Sequence, residues 1–316
     1  MANAIVSRLG QKDLAGDAKA IFLKVFAGEV LTAYETARVA SRYVRSRSIT
    51  HGKSAQFPVM GKASGSYHQP GVEILGGQLP HNEVVITIDD LLISPLFIAN
   101  IDEAMNHYDV RGYYSSQMGI FLANAEDKHL LQLAVLAARA SARITGEPGG
   151  SVITSANSAT DAEALITAIF QAAQTFDEKD VPDDERAFFL KPAQYYLLAQ
   201  NTKIMNKDWG GAGVYADGKV LRVAGMEIVK TNNLPTTNVT TGVDAGTDNK
   251  YAGNFTTTVG VALQRDALGT VNLMDLALES EYQVSRQGTL MVGKFAKGHG
   301  ILAPQCAVEV RTAAPA

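Results

Sequence analysis

Cysteine, excess positive charge and long apolar runs are scarce or missing in this chain, and each shortage excludes something. The single cysteine, Cys306, rules out an intramolecular disulfide framework and fits a reducing cytoplasm. No run of about 18 apolar residues occurs, so no membrane span is expected. The opening MANAIVSRLGQKDLAG has no cationic segment followed by an apolar core, so no signal peptide is expected either. A net charge of −4 and a pI near 5.9 leave no global basic field to recruit nucleic acid. Catalytic signatures are missing as well. His51-Gly52-Lys53-Ser54 matches only the tail of a phosphate loop, because Arg47 stands where the motif needs its first glycine. Gly210, Gly211 and Gly213 do not join a strand to a helix as a dinucleotide fingerprint must, and read as a tight turn. The histidines at 51, 68, 81, 107, 129 and 299 form no HExxH or HxH pair, and His107 and His129 read as hydrogen-bonded structural residues on a helix. Asp177, Glu178, Asp180, Asp183, Asp184 and Glu185 lack calcium-loop spacing and read as a solvated loop. Cys306, in the apolar ILAPQCAVEV, reads as a small buried hydrophobe. No catalytic, cofactor-binding or metal site is expected.

What is present is a strand leading into an unusually long helix. In VVITIDD, Ile86 and Ile88 face one side, and Val85, Thr87 and Asp89 the other. Asn100 then stands at an N-cap position with Glu103 three residues on. Ile101, Met105, Tyr108, Met118, Phe121/Leu122, Ala125, Leu133 and Ala137 follow at helical spacing, with no proline before Pro148. A helix of roughly 35–40 residues would be about 55–60 Å long, more than most compact enzymes need.

Before it, SAQFPVMGKA and NEVVITIDD read as two strands separated by the long tip SGSYHQPGVEILGGQLPH. Ordering costs about 1.5 kcal/mol per residue, and a fully buried large apolar side chain returns about 1.5–3 kcal/mol. The arm offers only Phe57, Val59, Met60, Tyr67, Val72, Ile74, Leu75 and Leu79. It cannot stand alone and is expected to be mobile or to dock elsewhere, most simply on a neighbouring subunit.

The remainder reads as α+β. Residues 17–40 give an amphipathic helix through Phe22, Val25/Phe26, Val30 (or Leu31), Tyr34 and Ala37. Arg38, Arg42, Arg45 and Arg47 follow it as a basic run. This run could touch phosphates, pair with carboxylates of another subunit or be solvated; subunit pairing suits a net acidic chain best. Residues 161–175 form a helix, Ala187–Leu190 a strand, Pro192–Asn201 a helix and Lys219–Lys230 a strand pair. Residues 235–256, rich in Thr, Asn, Gly and Asp, read as an exposed loop, and β patterning then runs to the end.

Several strings resemble one family. IFLKVFAGEVLTAYETARV, SITHGKSAQFPVMGKA, VVITIDDLL, DEAMNHYDVRGYYSSQMG, ALGTVNLMDLALE and KFAKGHGILAP look like the major capsid proteins of T-seven-like short-tailed phages. The likeness covers roughly residues 20–140 and 258–305 and is weak over 141–257. It implies the Hong Kong 97-type capsid fold, with an N-terminal arm at 1–52 and an E-loop at 53–90. A peripheral domain with a spine helix would cover 91–149, an axial domain 150–257, and a return to the peripheral domain 258–316. It implies a virion shell of hexamers and pentamers, assembled in the host bacterial cytoplasm around a scaffolding protein. A portal protein would be a further partner, and double-stranded DNA would be packed inside without sequence-specific binding.

The expected subunit-interface residues of the E-loop are Phe57, Val59, Tyr67, Val72, Ile74, Leu75 and Leu79. Arg38, Arg42, Arg45 and Arg47 would lie at a subunit interface or face DNA, and Met105, Tyr108, Arg111, Tyr114 and Met118 would mark the spine. An encapsulin-like compartment shell and a cytosolic α+β enzyme are the alternatives. The wording of 101–118 counts against the first, and the missing catalytic cluster against the second.

Overall fold

The computed structural model describes residues 20–63, 65–71, 73, 74, 76–99, 111–201 and 222–314. The expected Asn100–Glu103 cap, His107 and the glycine turn at 210–213 lie outside them. In chain order the elements begin with α1 (Ala20–Ala37), β1 (Arg45–Ser48), β2 (Ser54–Met60), β3 (His81–Thr87), β4 (Leu92–Ala99) and α2 (Arg111–Arg139). They continue with β5 (Ser151–Thr154), α3 (Ala162–Glu178), β6 (Arg186–Leu190), α4 (Pro192–Ala199), β7 (Arg222–Val223) and β8 (Met226–Lys230). The last are β9 (Asn238–Val239), β10 (Gly253–Asn254), β11 (Thr258–Gln264), β12 (Leu268–Gln283), β13 (Gly288–Ile301) and β14 (Ala307–Arg311). The described part of the long helix, 29 residues, spans about 43 Å.

The chain divides into two compact units. The first comprises Met1–Arg38, Leu91–Glu126 and Met274–Ala296. Within it Val30 of α1, Met118 of α2, Ile98 of β4 and Met291 of β13 form one apolar cluster, and Tyr34, Leu122, Ala123 and Phe295 form another. Gly119 makes the helix crossing possible, since a Cβ there would lie 2.5 Å from the Val30 carbonyl oxygen. LLISPLFIA, expected to lead from strand into helix, is instead a second strand paired antiparallel with β13, from Gly288↔Ala99 to Phe295↔Leu92. Its alternating burial is that of a strand, and Pro95 is tolerated because β4 lies at the edge of its sheet.

The second unit comprises Val39–Asp90, Asp127–Leu273 and Lys297–Ala316. Its six-stranded sheet has the order β5-β14-β11-β6-β8-β7, with β5–β14 and β6–β8 parallel and the other pairs antiparallel. β6 and β11 are buried along their whole length, which is why their sequences are nearly continuous apolar runs. Leu165, Ile169, Ala172 and Phe176 of α3 and Leu130, Ala134 and Ala137 of α2 share one core with them. α3 opens on Asp161, whose carboxylate accepts the Glu163 amide at 3.1 Å. Just after α1, buried Asp127 accepts the Val39 and Ala40 amides at 2.8 and 3.0 Å, closing the turn there.

Three expectations need correction in this unit. Phe176–Glu178, read as polar loop, complete α3, because the 165-169-172-176 period carries a fully buried Phe176. The 177–185 carboxylates are not merely solvated: Asp177 and Asp183 hold Arg186 at 2.8 and 2.9 Å, and Glu185 holds Arg265 at 3.0 Å. Residues 235–256 are not simply an exposed loop. Ala245, Tyr251 and Phe255 are fully buried, and Gly246 lies so close beneath the Tyr251 ring that a Cβ would sit 2.2 Å from it. Three apolar side chains scattered through a polar run leave no period to read.

The densest polar contact is Arg139, in the last turn of α2, on fully buried Glu309 of β14. Its Nε donates to Glu309 Oε2 and its Nη2 to Oε1, both at 2.6 Å, while Nη1 donates to the Asn254 carbonyl at 2.7 Å. Arg139→Met leaves a buried carboxylate without its cation and should cost about 3–5 kcal/mol of unfolding free energy. The double variant Arg139→Met/Glu309→Met should cost clearly less in chemical denaturation, and equal losses would refute the pairing argument.

Candidate assembly surface

The site is built on the β2–β3 ribbon. Its ladder runs antiparallel from Ser54↔Thr87 to Met60↔His81. At the root Ala55 and Ile86 are buried against Val271 and Leu302. Asp89 ties the root down: its amide donates to the Lys297 carbonyl at 3.0 Å, its Oδ1 accepts Lys250 Nζ at 2.7 Å, and its Oδ2 accepts the Tyr251 hydroxyl. The His129 ring stacks on Tyr251 at 4.2 Å and its Nε2 meets the Val243 carbonyl at 2.8 Å. His299 Nδ1 meets Thr270 Oγ1 at 2.9 Å. Burial above all pushes both imidazoles below the ordinary histidine range.

Away from the root, cover runs out. Phe57 and Val59 are half-buried; Met60 and Leu79 are exposed, Ile74 is 77% exposed and Tyr67 fully so. Val72 and Leu75 lie outside the described residues. The arm thus presents the apolar side chains that the sequence marks as impossible to bury within it.

The basic run is divided. The Arg38 guanidinium lies 4.7 Å over the Tyr34 ring and 3.8 Å from Glu126 within the first unit. Arg45 Nε sits 3.1 Å from Asp266, and Arg47 Nη1 donates to the Gln56 carbonyl at 2.8 Å. Arg38, Arg45 and Arg47 therefore have partners in their own chain, while Arg42 is exposed. On α2, Met118 is buried and Tyr114 packs beside it, so both serve the unit's own core. Arg111 is the first described residue of that helix, and Met105 and Tyr108 lie outside the described residues. The exposed stripe of α2 carries Tyr113 and Phe121, 66% and 46% exposed. Sequence reasoning missed Tyr113 by assigning the whole apolar period to the core; two aromatics eight residues apart and out of phase with Met118 and Leu122 were the available signal.

Among the described residues no group of three His, Cys, Asp or Glu could hold a metal ion, and no helix is long and apolar enough to cross a membrane. Cys306 is buried, and burial, with Asp266 nearby, pushes its thiol up to about 12. A protonated, enclosed thiol is a poor nucleophile.

A long helix, an extended ribbon and a mixed central sheet together form the Hong Kong 97-type capsid fold, an α+β shell subunit. The capsid of cyanophage P-SCSP1u shares it with 43% identity and a TM-score of 0.80 over 99% of both chains. The mature capsid of bacteriophage PhiM1 shares the fold at 20% identity and a TM-score of 0.72, over 87% of this chain and 86% of that one. The major capsid protein of Escherichia phage T7 is 35% identical over 93% of this chain and 92% of its own length. Residues 56–311 match the Gp10A-like family, described as major capsid protein. The chain belongs to that family, and its function is that of a major capsid protein of a tailed phage. The compartment-shell and enzyme alternatives are not favoured.

The two buried histidines set a pH dependence. Their folded pKa values lie below the unfolded value of about 6.5, so the unfolded chain takes up protons first. Their contribution is complete above that pH and is lost as pH falls toward the folded values. The thermal midpoint should therefore drop between about pH 7.5 and 5.5, a window around that unfolded value, and drop less in His129→Phe and His299→Gln. An unchanged pH slope in both variants would overturn the assignment.

Proposed function

We propose that the subunit closes into hexamers and pentamers through its β2–β3 ribbon, which lies on a neighbour as the E-loop of the shell. The exposed apolar side chains of the ribbon, Tyr67 and Ile74 foremost, carry this reading. They are a large cost in water and become useful only when another surface covers them. Heterologous patches that close into rings suit such an arm, because the cost of ordering it is met at the interface. Residues 1–52 act as N-terminal arm, 91–149 and 258–316 as peripheral domain, and 150–257 as axial domain. Tyr113 and Phe121 extend the contact surface of the spine helix. Arg42, exposed and held by the neighbouring Tyr43 hydroxyl, is the best placed of its run to meet a neighbouring carboxylate or packaged DNA.

The shell forms in the host cytoplasm around a scaffolding protein, receives a portal protein and encloses double-stranded DNA without reading its sequence. The subunit is a structural protein, not an enzyme. Ile74→Asp should leave it soluble while abolishing closed shells in electron micrographs; normal shells would refute ribbon docking. Shells of the unaltered chain should run only as monomers in denaturing electrophoresis, and a ladder would reveal covalent cross-links.

A further inference from the structure

The ribbon is held at two places of different character. Its root at Asp89 is enclosed, as described above. Its second attachment lies where the ladder ends. There Gly61 N donates to the Pro80 carbonyl at 2.9 Å, and the next residue, Lys62, turns to the body. The Lys62 amide donates to Glu147 Oε1 at 3.0 Å, and Lys62 Nζ lies 2.5 Å from Asp180 Oδ2. Asn82, on the opposite strand, donates its side-chain amide to the Arg143 carbonyl at 2.7 Å. Beneath this end the ribbon does not pack tightly. A cavity of about 300 Å³ separates Phe57, Val59 and Met60 from Val181, Leu302 and Cys306. Polar contacts at the rim therefore hold the outer end, and water reaches them: the Lys62 and Asp180 side chains are 64% and 76% exposed.

An independent observation concerns Asp180 itself. α3 ends in a Schellman motif, with Val181 N donating to the Phe176 carbonyl and Asp180 N to the Asp177 carbonyl, both at 3.0 Å. Asp180 occupies the left-handed position of that motif, at φ +56°. Glycine is the ordinary residue there because it carries no Cβ penalty. The chain forgoes that advantage and places a carboxylate where Lys62 of the ribbon meets it. Strain retained at one position points to a use for the side chain.

We propose that Lys62 and Asp180 form a releasable latch, which parks the outer end of the ribbon on its own subunit until it swings about the Asp89 root onto a neighbour. The proposal rests on the reading that the ribbon docks on another subunit. An exposed ion pair suits a latch, since it gives register and a preferred resting place yet is weakened by salt and easily exchanged. A buried apolar clasp would hold too firmly to be given up for a partner.

Hydrogen exchange by mass spectrometry on the full-length, unassembled subunit tests the latch. At low ionic strength, Lys62→Gln and Asp180→Gly should each raise exchange of ribbon amides 54–62 and 81–87 by about two- to fivefold. The double variant should add nothing further, because both changes break one contact. Asp180→Gly should also raise the thermal midpoint, as glycine relieves the left-handed position, which separates loss of the latch from general destabilisation. Raising the salt should speed ribbon exchange in the unaltered chain and leave the variants unchanged. Ribbon exchange unaffected by either substitution, or a salt effect persisting in both variants, would overturn the proposal. Because exchange is read before assembly, the latch stands or falls separately from docking, which the shells of Ile74→Asp decide.

Discussion

The placement of the ribbon depends on one desolvated ion pair, Arg139 on Glu309. A buried carboxylate is tolerated only when its cation is close and its remaining lone pairs are filled. Here Thr258 Oγ1 donates to Glu309 Oε1 at 2.7 Å, and the guanidinium reaches on to the Asn254 carbonyl. The pair thus joins the end of α2, the strand β14 and the turn leading into β11. From Asn254 the chain runs back three residues to Tyr251 and four to Lys250, the groups that grip Asp89. One short segment, 250–254, thus carries both the contact to the end of the helix and the contacts to the root of the ribbon. Arg139 also suits its place in the last helical turn, where a cation complements the helix dipole.

Much of this architecture was legible in the sequence, and what was not has identifiable causes. The first helix, the helix read over 161–175 but not its last turn to Glu178, and the fully buried strands followed from period and apolar continuity. The ribbon was legible through a deficit: too few apolar groups over too many residues to repay their ordering. The 242–255 segment was opaque because Ala245, Tyr251 and Phe255 bury themselves singly, each placed by turns and not by a repeating period. β4 was hidden because Pro95 argues against a strand unless the strand is known to be an edge, which is a fact of topology. The Arg38–Arg47 run showed its charge, but Glu126 and Asp266, the carboxylate partners of Arg38 and Arg45, are far away in sequence, and Arg47 meets a backbone carbonyl across a turn.

A ribbon that is to be covered by a neighbour, as proposed above, must also be kept from indiscriminate strand pairing. Pro58, opposite Glu83 in the ladder, withholds a backbone donor from its strand, which discourages indiscriminate strand addition to a two-stranded sheet.

The two ends of the ribbon show why burial matters more than charge type. Both use a lysine and an aspartate at hydrogen-bond distance. At the root, Lys250 and Asp89 are 22% and 16% exposed, and a tyrosine hydroxyl shares the carboxylate. At the outer end the Lys62 and Asp180 side chains are mostly exposed. Coulomb attraction scales inversely with the local dielectric, and salt screens the exposed pair far more than the enclosed one. The same two residue types therefore make a fixed joint at one end and an exchangeable one at the other. A ribbon so attached is suited to the swing proposed above, because breaking the exposed joint leaves the enclosed root contacts of Asp89 in place.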